Sequence, residues 1–323
     1  MLLLDEAQVS ALLTPRDALA AVQRAFLAQA EQQTVLPLRA AVITSNGLLG
    51  SMPGAVLLGG RALGAKLVTF FPGNAQGATP THQALIALFD AEDGRPIALM
   101  DGRYITEIRT AAASALATRV LGRPQSSIAA ILGTGVQARA HAHALVDVLS
   151  LRELRVWGRN RLHAETLARD LAATGIAARA ADTAAQACAG AHVICTTTST
   201  HDPVLALEDV ESGAHINAVG ACTPRMREIS ADLMAAASIF VDSIEGGLSE
   251  AGDIILAMRD GALPAAPRLT LLADAVAGKT VGRTSDDEIT LFKSLGIALE
   301  DLTCAALVYE RAVERSIGTS VQM

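Results

Sequence analysis

The sequence predicts an α/β chain of two domains, in which a parallel sheet wound on both faces follows an α+β unit. Three observations carry this prediction. From residue 126 onward strand and helix patterns alternate, a Gly-rich turn separates the first such strand from its helix, and the chain before it shows short, turn-separated apolar segments. A length of 323 residues suffices for two domains with a buried core.

Thr14-Pro15 starts a helix over 15–32, with a hydroxyl that caps free N–H groups and a proline at the first helical position. The segments 38–44, 48–52 and 63–70 read as antiparallel strands. Residues 84–89 and 96–99 flank the turn Asp90-Ala-Glu-Asp93-Gly94-Arg95 as a hairpin. An alanine-rich helical pattern over 105–121 leads to Gly122-Arg123-Pro124, a domain junction. Beyond it the strand candidates are 128–132, 154–157, 176–180, 193–196, 216–219 and 239–241, with helices between most of them. The tail, 286–315, reads as one long helix whose acidic start suits a helix N-terminus, and it is expected to return to the first domain.

Composition narrows the function classes. Hydrophobic content is 51% against 18% charged, yet no stretch is long and apolar enough to cross a bilayer. Met1-Leu-Leu-Leu-Asp5-Glu6 is too short and too acidic for a secretion signal, so a cytoplasmic protein is expected. A net charge of −7 without a basic run argues against nucleic acid. Cys188, Cys195, Cys222 and Cys304 lack both zinc-type spacing and disulfide density, which suits a reducing compartment.

The central motif is Gly133-Thr134-Gly135-Val136-Gln137-Ala138. The apolar run 128–132 before it reads as a strand buried on both faces. Gly133 and Gly135 permit a tight turn and close phosphate approach, Ala138 permits helix-on-strand packing, and the helix start at Val136 and Gln137 offers unpaired N–H groups to a pyrophosphate. An ordinary Gly-rich strand-to-helix turn is the alternative. One strand later the chain reads Trp157-Gly158-Arg159-Asn160-Arg161, with no acid to bind a ribose 2′-hydroxyl. Arg159, Asn160 and Arg161 suit a 2′-phosphate, which predicts NADPH, with NADH the other candidate; solvated surface arginines are the alternative.

His141 and His143 stand two apart on a helix and so point to different faces, and the remaining histidines show no ligand spacing; no metal site is expected. No Gly-x-Ser-x-Gly elbow is present. Lys66 is a cation inside an apolar strand pattern, either functional or an edge-strand lysine whose head reaches water. Arg109 is either functional or a helix-surface arginine paired with a nearby acid.

Several ordered motifs then resemble one family. Gly64-Ala-Lys66-Leu-Val-Thr69, Leu88-Phe-Asp-Ala-Glu-Asp-Gly94, Leu99-Met-Asp101-Gly-Arg-Tyr104-Ile-Thr106, Arg109-Thr110-Ala-Ala-Ala-Ser114, the Gly133 to Ala138 turn and Ile216-Asn-Ala-Val-Gly220 are similar to the ornithine cyclodeaminase/mu-crystallin family. The similarity continues through Val241-Asp-Ser243, Gly252-Asp253-Ile254, Gly282-Arg283 and Leu291-Phe-Lys293-Ser-Leu-Gly296, and covers nearly the whole chain.

The resemblance implies a homodimer, with a substrate-binding and dimerisation domain over 1–118, completed by a C-terminal helix over 300–323, and a Rossmann NAD(P)-binding domain over 119–299. By motif, Lys66 and Arg109, with Arg39 as a less closely matched third, fall where family members hold the amino acid's carboxylate; Thr81 and Thr110 fall where they contact the cofactor. Family activities include ornithine or lysine cyclodeaminases, alanine-type dehydrogenases, cyclic-imine reductases and non-catalytic crystallin-like binding proteins. After Asn217-Ala-Val-Gly220 the cyclodeaminases carry an aspartate, and this chain has Cys222 there. A largely protonated thiol is no anionic acceptor, which weakens cyclodeamination. The resulting expectation is NADPH-dependent reduction of a cyclic ketimine, Δ1-pyrroline-2-carboxylate or the larger Δ1-piperideine-2-carboxylate, to L-proline or L-pipecolate.

Overall fold

The computed structural model describes residues 1–57 and 62–322; residues 58–61 and Met323, which fall within the expected 1–118 and 300–323 segments, lie outside the described residues. The chain forms two compact units, one of Met1–Ala112 with Gly296–Met323, the other of Ala113–Leu295.

In the first unit the strands run in the spatial order Thr319–Ser320, Leu2–Leu4, Pro96–Asp101, His82–Phe89, Ala62–Phe70, Leu48–Val56 and Thr34–Val35, while Ala40–Ile43 also pairs with Leu48–Val56. All pairings are antiparallel except that of Leu2–Leu4 with Pro96–Asp101. Alternation sets the faces: Ala84, Ile86 and Leu88 are buried while Leu85 between them is exposed. The helices Pro15–Ala30 and Ala298–Arg315 pack on each other, and the latter lies on the three central strands. A capping box of Thr14 and Asp17 starts the first of these helices, and Arg311 from the tail helix grips Asp17 at 2.6 and 2.7 Å. That guanidinium holds the Asp17 carboxyl well below the usual carboxylate range.

The second unit contains an all-parallel sheet in the order Ala178–Ala180, Glu153–Trp157, Ile128–Leu132, Val193–Thr196, His215–Ala218, Thr290–Lys293, Ser238–Val241 and Thr270–Leu271. Its central strands are buried on both faces, Ile128–Leu132 with apolar residues alone, and alanines such as Ala138 and Ala142 let the covering helices approach closely. Strand order reverses between Ile128–Leu132 and Val193–Thr196. Ligands of open α/β sheets bind beyond the strand C-termini at such a point.

Two expectations are corrected. Residues 286–315 are not one helix: Thr290–Lys293 is a strand between His215–Ala218 and Ser238–Val241, and the helix begins only at Ala298. Gly296 separates them at φ +75°, a conformation that no helix continues through. Nor is Lys66 on a sheet edge. Its strand lies between two others, with Lys66 paired to Met52 on one side and Ile86 on the other, so its head cannot reach water along an edge. Among the described residues no helix is long and apolar enough to cross a membrane.

Candidate active site

The first unit buries a group of four charges. Lys66 Nζ lies 2.7 Å from Asp301 Oδ2 and 3.5 Å from the Thr106 hydroxyl. Arg109 donates from Nε to the other oxygen of Asp301 at 2.9 Å and from Nη1 to Glu300 at 2.6 Å. Asp301 therefore bridges both cations, and all four side chains are withdrawn from solvent. Gly296 makes this packing possible: a Cβ there would collide with the Arg109 guanidinium. Burial, with the Arg109 charge adding to it, lowers the Lys66 pKa to about 8 against the opposing pull of Asp301 and Glu300.

The expectation of a helix-surface Arg109 is thereby set aside, and two acids that sequence reasoning does not single out join the site. In the sequence Glu300 and Asp301 are two charges inside a long predicted helix. The signal that marks them is their setting, since Leu295 to Ala305 holds no other charge and the helix buries every residue from Ala298 to Cys304 except for a trace of Thr303. Two adjacent carboxylates in such a run need buried cations.

The other residues of the first unit surround this group less directly. Arg39, half-buried at its own position, immediately precedes Ala40–Ile43, whose pairing of Ala40 with Ser51 puts Arg39 next in line to Met52, the partner of Lys66. Thr110 is buried one residue beyond Arg109, and its hydroxyl donates to the Thr106 carbonyl at 2.7 Å. Thr81 stands before His82–Phe89 with its hydroxyl 3.2 Å from His82 Nδ1.

In the second unit Gly133 adopts φ +139°, and a Cβ would run into Thr197. Gly135 is the N-cap of Val136–Val146 with open space where a Cβ would be, and no acid occupies that helix's first turn. Free N–H groups thus face an uncrowded approach, with Val136 60% exposed and Gln137 beside it. The turn fits a pyrophosphate. At the end of the neighbouring strand the three expected phosphate donors differ. Asn160 caps its own helix through Leu162 N at 3.0 Å, and Arg161 is paired with Glu165 at 2.8 Å and with Asp182. Arg159 is exposed and has no partner among the described residues.

Of the two histidines on the helix Val136–Val146, His141 packs inside the unit. His141 is buried between the Gln137 carbonyl at 2.7 Å and the Ser114 hydroxyl at 2.9 Å. A carbonyl only accepts, so Nδ1 carries the proton, and burial lowers the pKa to about 4 and keeps the ring neutral. Among the described residues no group of His, Cys, Asp or Glu is arranged to hold a metal. Cys222 is half-buried just after Gly220, to whose carbonyl its own N–H donates at 3.1 Å.

A doubly wound parallel sheet with an open glycine turn at its first strand, in a chain with a second unit of mostly antiparallel strands, defines the dinucleotide-domain class of α/β proteins. The chain belongs to the ornithine cyclodeaminase/mu-crystallin family, whose profile matches residues 1–316. Ketimine reductase mu-crystallin of Mus musculus is 41% identical over 278 residues, covering 86% of this chain and 83% of the relative. Delta(1)-pyrroline-2-carboxylate reductase of Bacillus cereus is 35% identical over 295 residues, 90% of each chain. Among solved structures, Thermococcus litoralis Delta(1)-pyrroline-2-carboxylate reductase in complex with NADH and L-proline superposes with a TM-score of 0.95 at 36% identity, covering 99% of this chain and 100% of the other.

Proposed function

We propose that this chain is an oxidoreductase acting on CH–NH bonds that reduces a cyclic ketimine carboxylate, Δ1-pyrroline-2-carboxylate first, with NADPH as reductant. The observation that carries the reading is the buried Lys66–Asp301–Arg109–Glu300 group, a paired cation site built into the sheet and braced from the tail helix. A carboxylate is recognised by a guanidinium fork, the role assigned to Arg109, with Arg39 as a further cation. Lys66, an ammonium below pH about 8, keeps a proton beside the ring nitrogen, and Asp301 holds that ammonium in place. When bound, the dinucleotide supplies the hydride for the imine carbon. The Gly133 to Gln137 turn would hold its pyrophosphate, and Thr81 and Thr110 are assigned to contacts with it.

Cys222 favours reduction over deamination, because the chain carries no carboxylate at that position to manage a departing amine. Arg159, partnerless among the described residues at the strand end, favours NADPH over NADH. The deciding measurement is dinucleotide oxidation against five- and six-membered cyclic imines, pyruvate with ammonia, and ornithine. Stoichiometric NADPH oxidation with the preformed imine is expected; ammonia release from ornithine without net oxidation would make the chain a lyase instead. In the same assay Arg159→Ala is expected to raise the KM for NADPH about tenfold, the loss of one charge-assisted phosphate contact, and to leave that for NADH within about twofold. Equal effects on both would remove the phosphate argument.

The homodimer belongs to the same reading. Leu49, Leu67 and Leu85 are exposed on three neighbouring strands, with Leu67 paired to Leu85, and Val42, exposed on the next strand, is paired to Leu49. A connected apolar face of this kind suits a second copy. Sedimentation of the intact chain should give twice the monomer mass, and Leu67→Glu with Leu85→Glu should give the monomer; a monomeric wild type would refute the assignment.

A further inference from the structure

The second unit buries another set of charges, Glu228, Asp253 and Lys293, none with measurable exposure. Glu228 is saturated with donors. One oxygen accepts from Thr198 N at 2.6 Å and the Thr198 hydroxyl at 2.7 Å; the other accepts from Gly220 N at 2.6 Å and the Thr196 hydroxyl at 2.8 Å. Each oxygen accepts from a backbone N–H that can only donate, and burial pushes the carboxyl's pKa up against the pull of Lys293. Asp253 secures the main chain on either side, accepting from Glu228 N at 2.7 Å and Ile229 N at 3.0 Å. Its other oxygen meets Lys293 Nζ at 3.1 Å, and that ammonium donates to the Ala218 carbonyl at 2.9 Å.

Thr196, Ala218 and Lys293 are the last residues of three adjacent strands. The group therefore ties together the C-terminal ends of the middle of the sheet. Thr197, between the two threonines that Glu228 holds, donates its N–H to Leu132 O at 2.8 Å and fills the space against Gly133. Gly220 allows the second attachment, since a Cβ there would strike the Thr198 carbonyl and come within 2.6 Å of a Glu228 oxygen.

The sheet order says which part of a dinucleotide this affects. Arg159 follows the strand on one side of the Gly133 turn, the adenosine side, so the nicotinamide half extends the opposite way, over the ends of Val193–Thr196 and His215–Ala218. We propose that Glu228 is a positioning residue, which through Thr196, Thr198 and Gly220 shapes the wall against which the nicotinamide half of the dinucleotide rests. The proposal depends on the dinucleotide reading above.

Glutamine in place of Glu228 tests it sharply. Each carboxylate oxygen faces a backbone N–H that cannot reverse, so whichever position the amide nitrogen takes, it confronts a donor and one strand end must move. Binding is measured by calorimetry for NADPH and for adenosine 2′,5′-bisphosphate, which carries only the adenosine side. Glu228→Gln is expected to weaken NADPH about tenfold or more, the scale of one charge-assisted hydrogen bond, and to leave the bisphosphate within about twofold. Equal weakening of both ligands, or of neither, overturns the proposal. If Glu228→Gln does not fold, Thr198→Val removes a single hydroxyl donor and carries the same comparison: a selective loss of NADPH affinity of about threefold supports the proposal, and unchanged affinities overturn it. A wild type that binds neither NADPH nor NADH would refute the functional reading itself, whereas wild-type binding with an indifferent Glu228→Gln refutes only the role of Glu228.

Discussion

Arg109→Ala is expected to cut imine reduction by about a hundredfold or more and to lower the unfolding free energy by about 3–5 kcal/mol, the range for removing one member of a buried ion group. The two effects have separate origins. Loss of the guanidinium removes the 2.6 Å partner of Glu300 and one of the two cations on Asp301, where both carboxylates are withdrawn from solvent. It also removes the fork assigned to the substrate's carboxylate, and kcat/KM should fall by about a hundredfold or more, as when one preorganised donor is lost from an active site. Arg109→Lys separates the terms: it keeps a positive charge, so urea unfolding should show a smaller loss of stability, but a lysine cannot span Glu300 and Asp301 with a planar fork and activity should stay low. Arg109→Ala with Glu300→Gln should recover stability and no activity. If Arg109→Ala keeps kcat/KM within about threefold of wild type, the carboxylate is held elsewhere.

What the sequence disclosed and what it hid follow from the range of the forces involved. The doubly wound half was legible because a strand buried on both faces is a short apolar run, and because Gly133 answers to a local backbone demand while Gly135 leaves the turn open. The run Thr290–Lys293 misled for the same reason: four buried residues are compatible with strand or helix, and only the neighbouring strands decide. Lys66 was visible as an anomaly, but its partner lies on the tail helix, and no local pattern connects the two. Likewise the sequence presents Arg159, Asn160 and Arg161 as equal donors. Folding distinguishes them by bringing Asp182 to Arg161 and by using Asn160 as a helix cap. Residues whose roles are set by their own backbone were readable; residues whose roles are set by a distant charge were not.

The pH dependence of the reaction should report Lys66 directly. Burial and the neighbouring Arg109 bring its pKa to about 8 from 10.5, so the ammonium is complete below that pH and is lost above it. If the ammonium keeps the proton beside the ring nitrogen, kcat/KM should be level below pH about 8 and fall tenfold per unit above it. Stability moves the other way. Between about 8 and 10.5 the unfolded chain still holds the lysine proton and the folded chain has released it, so this group's contribution to stability rises with pH. A falling rate in that window is therefore not unfolding caused by Lys66, and a thermal-melt series run alongside should show no matching loss. Lys66→Arg supplies the control, because a guanidinium keeps its charge throughout. The substrate's own ionisation is common to both proteins and cancels in their ratio. Wild type divided by Lys66→Arg should thus retain the limb near pH 8, while Lys66→Met should be poorly active at every pH. Asp301→Asn, which removes the charge that favours the ammonium, should move the limb to lower pH. A limb that stays in place in both Lys66→Arg and Asp301→Asn would belong to another group and would remove Lys66 from the proton's path.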